Sequence, residues 1–320
     1  MRNIALAAVI VSAFLVGGAV GFVIGRRFST SDKVRELPAS TAGNGGESLD
    51  SPDDDQRNNW STMDSGPYKD KVSFATSSDL FHWTESGVTI AEHASVPDAI
   101  YKDGVIYVYF VDVTQDDKPE QIGLLRSEDK GQTWADKVII KIDGLGQKVA
   151  VDPDPFLLPD GRIRLYYLDI ATARPEQKTS GKIYSAISSD GINFAEEEGV
   201  RLEREQGLFD PDVTRIGDTW RMYTGAGEAP KVIYATSADG LTFTEEGVAY
   251  EGGSVPNVFY DGQKYILYTA GIDIALSVDG KTFTKQSYTF QCSTGLTADP
   301  GVIQLGENEY LMVFKTKISP

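Results

Sequence analysis

Two short motifs each recur five times along this 320-residue chain, and that repetition limits the fold more than any other feature of the sequence. The first is Ser-x-Asp, then Gly or a near equivalent, then an aromatic: SSDLFHW from Ser77, SEDKGQTW from Ser127, SSDGINF from Ser188, SADGLTF from Ser237 and SVDGKTF from Ser277. The second is x-Pro-x leading into a strand: VPDAIYKDGVIYVYF from Val96, DPDPFLLPDGRIRLYY from Asp152, DPDVTRIGDTWRMYT from Asp210, VPNVFYDGQKYILYT from Val255 and DPGVIQLGENEYLMVF from Asp299. Each unit holds a strand after the proline, a tight turn and an aromatic strand. A third strand then runs into the Ser-x-Asp turn, and a fourth leaves it.

Four strands per unit and five units describe an all-β, five-bladed β-propeller. The 32 glycines and 15 tyrosines agree with many short strands joined by tight turns. The first Ser-x-Asp copy precedes the first x-Pro, whereas the last x-Pro unit ends after two strands. Residues 72–94 are therefore expected to complete the last blade, so that the N-terminal strands close the ring and leave no free sheet edge.

The propeller is assigned to residues 71–320. Ahead of it, residues 1–28 read as a membrane anchor or signal segment. Residues 4–25 carry no charge and are flanked by Arg2 and by Arg26 and Arg27, a stretch long enough to span a bilayer. Residues 29–70 read as a disordered polar linker with a reach of roughly 35 Å, with Trp60 and Tyr68 docking locally. One transmembrane or signal helix thus precedes the propeller. The expected location is the cell membrane, single-pass with the propeller outside, or secretion if the segment is cleaved.

A net charge of -17 without a basic patch argues against nucleic acid as a partner and leaves neutral carbohydrate, cations or basic proteins. Cys292, the single cysteine, reads as a packed small residue.

In a propeller the innermost strands converge on the axis, so the x-Pro positions face one another across a central funnel. Before the prolines stand Val96, Asp152, Asp210, Val255 and Asp299; after them stand Asp98, Asp154, Asp212, Asn257 and Gly301. Residues two apart on a strand share a face, so Asp152 with Asp154, and Asp210 with Asp212, are expected to point the same way. Crowded carboxylates raise one another's pKa, which lets one acid stay protonated beside an ionised base. Asp112 and Asp169 follow the second strands (YFVD, YYLD) and are candidate acceptors for sugar hydroxyls, with Asp154, Asp212 and Asp299 as further substrate-binding candidates. No dedicated metal site is expected and no cofactor is required, but an all-oxygen funnel suits Ca²⁺.

The copy from Ser127 to Trp134 is similar to the Asp box of sialidases and many other propellers, a turn whose Ser and Asp bond their own backbone. The strings DPDVTRIGDTWRMYT and VDPDPFLLPDGRIRLYY resemble the blade starts of the five-bladed glycoside hydrolases, which include family 43 arabinanases and xylosidases, family 32 invertases and family 68 levansucrases. The resemblance covers about residues 72–320. It implies, as in family 43, an Asp base in the first blade, an orienting Asp in the second and a Glu acid near the start of the third. Those places hold Val96, Asp152 and Asp210, so the second matches, the third is Asp for Glu and the first is Val. The implied set is then Asp98 as base, Asp152 orienting and Asp210 as acid, with Glu228, after RMYTGAG, as a substitute acid.

The function this implies is inverting hydrolysis of neutral glycans by paired carboxylates. The alternative is a non-catalytic propeller that binds glycan or protein. A sialidase-like hydrolase is third, since that fold has six blades and an arginine triad.

Overall fold

The computed structural model describes residues 66–115, 120–171, 181–205, 207–227 and 230–318. They form five antiparallel blades. From the axis outward, blade one contains Ala94–Lys102, Val105–Asp112, Gln121–Ser127 and Val138–Ile139. Blade three contains Leu208–Ile216, Thr219–Ala226, Val232–Ser237 and Thr244–Tyr250, and blade four contains Asn257–Tyr260, Tyr265–Tyr268, Asp273–Ser277 and Thr284–Thr289. Blade two, Ala150–Leu157, Ile163–Asp169, Gly181–Ser188 and Asn193–Glu196, gains two short additions. Lys141–Asp143 pairs with its outer strand in parallel, and Leu202–Arg204 pairs with its third strand.

Blade five closes the ring as the motif offset requires. Ala298–Gly306 and Glu309–Lys317 come from the C-terminal region, and Asp70–Ser77 and Thr84–Glu92 from the N-terminal side. Asp70–Ser77 pairs with Glu309–Lys317 over eight residues, from Asp70 opposite Lys317 to Ser77 opposite Tyr310. The described fold includes residues that the sequence assigned to the linker. Residues 66–70, assigned to the linker, contain a short 3₁₀ turn (Gly66–Tyr68) and the start of a strand, with Tyr68 and Asp70 buried. Among the described residues no helix is long and apolar enough to cross a membrane. The expected anchor (residues 1–28), Trp60 and most of the linker lie outside the described residues.

The Ser-x-Asp turns are structural. In SADGLTF, Ser237 Oγ accepts from the N–H groups of Asp239 and Gly240, and Asp239 Oδ1 accepts from Leu241 and Thr242. The same bonds recur at Ser188, Ser277 and Ser77. Each of these four turns also receives a bolt from the preceding blade. Tyr109 Oη donates to Gly191 O (2.9 Å), Tyr166 to Gly240 O (2.8 Å), Tyr223 to Gly280 O (2.7 Å) and Tyr268 to Leu80 O (2.8 Å). These tyrosines pair across the strands with Asp98, Asp154, Asp212 and Asn257; the fifth equivalent, opposite Gly301, is Val313. The junction between blades five and one is thus closed without a tyrosine. There Trp134 and Gly131 pack on Phe74 and Leu311, and Lys130 bonds Glu309.

Candidate functional site

All five residues before the prolines adopt positive φ: Val96 at 47°, Asp152 at 51°, Asp210 at 49°, Val255 at 58° and Asp299 at 51°. Pairing with the second strand slips at this point in blades one, two, three and five. This bulge breaks the alternation of the strand. It corrects the expectation that Asp152 shares a face with Asp154 and Asp210 with Asp212. The carboxylates divide instead into two groups, one from the residues before the prolines and one from those after.

The group after the prolines contains Asp98, Asp154 and Asp212, whose carboxylate oxygens lie within 4.8 Å of one another. Each ring residue bonds the blade that follows it. Val213 N–H donates to Asp154 Oδ2 (2.9 Å), Val258 N–H to Asp212 Oδ2 (3.0 Å) and Val302 N–H to Asn257 Oδ1 (3.1 Å), while Asn257 Nδ2 donates to Asp212 Oδ1 (2.7 Å). Asp98 departs from the series because its partner would be the nitrogen of Pro155, which carries no hydrogen. It bonds Ala99 N–H of its own strand instead (2.7 Å). Burial pushes the Asp98 carboxyl up to about 7. Burial, joined by the neighbouring carboxylates, pushes Asp154 and Asp212 well above the usual range.

The group before the prolines contains Asp152, Asp210 and Asp299, all buried. Asp210 N–H donates to Asp152 Oδ2 at 3.2 Å, so these two stand side by side. Asp299 Oδ2 lies 2.7 Å from Lys315 Nζ, an ion pair buried on both sides. Burial and the Asp152 and Asp299 carboxylates push Asp210 well up; Asp152 is pushed up to about 6, chiefly by burial. Asp152 Oδ1, both Asp210 oxygens and Asp299 Oδ1 have no hydrogen-bond partner among the described residues. Interiors rarely leave such atoms unpaired. The five residue pairs at the x-Pro positions, together with Asp98, line a cavity of about 20 Å³, room for one water-sized group.

Lys315 is a site residue that the sequence reading missed. Burial works against its ammonium, but the Asp299 and Asp70 carboxylates outweigh it and hold its pKa above the ordinary value. Asp70, also unforeseen, bonds Lys317 (2.6 Å) and Ser95 Oγ (3.4 Å). The visible signal was a lysine inside the apolar run LMVF-K.

Asp112 and Asp169 lie at the ends of the second strands, both buried. Asp112 Oδ1 accepts from Thr114 N–H and Oγ1, and its other oxygen pairs with Lys137. Asp169 Oδ1 accepts from Val149 and Ala171 N–H at 3.0 and 3.1 Å. Glu228 lies outside the described residues.

No protein-family model and no curated protein matches the chain. Solved structures do. A family 43 enzyme from Xanthomonas citri, in complex with xylotriose, superposes with a TM-score of 0.54 at 15% identity, over 71% of this chain and 87% of that one. A family 32 β-fructofuranosidase from Bombyx mori gives 0.53 at 18% identity over 68% of this chain, which spans 54% of the enzyme. A family 117 glycoside hydrolase from Zobellia galactanivorans gives 0.52 at 13% identity, over 76% and 84%. The chain therefore has the five-bladed fold of glycoside hydrolase propellers, with a carboxylate-lined axis.

Proposed function

We propose that this propeller is a glycosidase that hydrolyses a neutral glycan with inversion, held at the cell surface by its N-terminal segment. Asp210, in the group before the prolines and kept protonated by burial and the neighbouring carboxylates, serves as the general acid, and Asp152 orients it. The observation that carries the reading is the set of buried carboxyl oxygens without partners around the axis. Sugar hydroxyls and a glycosidic oxygen supply the partners that such atoms lack. The fold-level likeness to family 32, 43 and 117 enzymes supports the same class.

Ca²⁺ fits the group after the prolines in this reading. Asp98, Asp154 and Asp212 offer only oxygens, and their spread of at most 4.8 Å suits one cation with 2.3–2.6 Å bonds. The ion would neutralise that group and hold three blades together.

A second reading, a propeller that binds glycan without turning it over, is favoured by Val96 in the place of the first-blade base. A screen of the purified protein against aryl arabinosides, xylosides and galactosides and against fructans separates the two. Turnover that Asp152→Asn abolishes supports the hydrolase; binding without turnover supports the second reading.

A further inference from the structure

We infer that Asp299, in blade five, is the general base of this site and that Lys315 is the residue that positions it. The inference rests on the hydrolytic reading above and names a base for it. Blade one offers none in the group before the prolines, because Val96 stands there. Asp98 belongs to the other group, with one oxygen held by Ala99 N–H and the carboxylates of Asp154 and Asp212 close by.

Within the group before the prolines the arrangement is asymmetric. Asp152 and Asp210 occupy adjacent blades and touch through the 3.2 Å bond from Asp210 N–H. Asp299 belongs to blade five, flanked around the ring by an apolar residue on either side, Val255 of blade four and Val96 of blade one, and its charge acts on both Asp152 and Asp210. All three carboxylates line the small cavity. Asp299 Oδ1, without a partner and beside a cavity with room for one water, is placed to hold a water as a general base does.

Lys315 explains why Asp299 takes that role. Its ammonium contacts Asp299 Oδ2 at 2.7 Å and is backed by Asp70, itself tied to Lys317 and Ser95. The pair occupies Oδ2 and leaves Oδ1 without a partner. In the reaction the water oxygen bonds to the anomeric carbon as its proton passes to Asp299 Oδ1. The bond from that carbon to the leaving oxygen breaks, and the leaving oxygen takes the proton of Asp210. Exchange with solvent then returns a proton to Asp210 and removes one from Asp299.

The test uses the full chain and the aryl glycoside that it turns over fastest. Asp299→Asn is expected to lower kcat by about 10² to 10⁴ with KM little changed. Lys315→Met is expected to move the acidic limb of the pH–rate profile upward, and Lys315→Arg to return it, which a purely structural role would not do. If Asp299→Asn does not fold, the double variant Asp299→Asn/Lys315→Met removes both charges together, and its loss is expected to match. Val96→Asp placed in the Asp299→Asn background is expected to recover part of the activity. An Asp299→Asn protein that keeps more than a tenth of wild-type kcat overturns the assignment and leaves the hydrolase standing. Absence of turnover by the wild type on every glycoside overturns both.

Discussion

Asp98 fills the space that Gly301 leaves beside it: a Cβ on Gly301 would fall 2.4 Å from Asp98 Oδ1 and 2.8 Å from its Cα. The two residues hold equivalent positions in adjoining blades. Gly301 has no side chain to receive Ala99 N–H in the way that Asp154 receives Val213 N–H, and Asp98 supplies the acceptor itself. Gly301→Ala is therefore expected to destabilise the propeller by about 1–3 kcal/mol through overpacking. Adding Asp98→Gly should not restore stability, because the closer constraint that remains is backbone. Urea denaturation of the single and double variants measures this, and full rescue would show that only the carboxylate is displaced.

The tyrosine bolts make a second comparison. Tyr223 Oη donates to the buried turn at Gly280, and Tyr223→Phe leaves that carbonyl without its partner. A loss of about 1–3 kcal/mol is expected. Tyr166→Phe should behave alike at the junction of blades two and three. Unchanged denaturation midpoints in both variants would mean that water replaces the hydroxyl at no cost.

Much of this architecture was legible because a propeller repeats its turn chemistry. Ser-x-Asp and x-Pro mark two fixed points in every blade, and their offset predicted the pairing of Asp70–Ser77 with Glu309–Lys317. The division of the carboxylates was not legible. Positive φ is uncommon for a residue other than glycine and strained for a β-branched one, and Val96 and Val255 at two of the five positions conceal it. With the bulge unseen, Asp152 and Asp154 read as one pair. Asp70 was hidden for a different reason: polar composition assigned it to the linker, although its carboxylate is buried against Lys317 and Ser95.

The buried acids give the stability an unusual pH dependence. Asp98 is pushed up to about 7 and Asp152 to about 6, and Asp154, Asp210 and Asp212 move in the same direction. An acid whose folded pKa exceeds the unfolded value of about 3.9 binds its proton more tightly in the fold. Its contribution is complete below about pH 4 and is lost as the pH rises through the folded value. The melting temperature is therefore expected to fall between pH 5 and pH 8, by roughly 4–8 °C for each 2 kcal/mol lost. A flat profile would exclude this. At pH 8, millimolar Ca²⁺ should recover stability in the wild type but not in Asp212→Asn. Calorimetry with Ca²⁺ and with chelator measures both.

The last prediction concerns the strand that closes the ring. Asp70 sits at its first residue, buried, with one oxygen 2.6 Å from Lys317 Nζ and the other 3.4 Å from Ser95 Oγ. It also helps to balance the buried ammonium of Lys315, which is ion-paired with Asp299. Removing one partner from a buried charge network costs more than the network contributes, because the remaining charge has lost its compensation and cannot reach water. Asp70→Ala is accordingly expected to cost about 3–5 kcal/mol. Lys317 is different: its side chain is 43% exposed, so its charge stays hydrated when the partner is gone. Lys317→Ala should cost less than about 1 kcal/mol, as exposed ion pairs do. Urea denaturation at pH 7 compares the two. If Asp70→Ala matched Lys317→Ala, the closing strand would be held by its ladder of backbone hydrogen bonds and apolar packing alone, and the charges at its start would add nothing to closure.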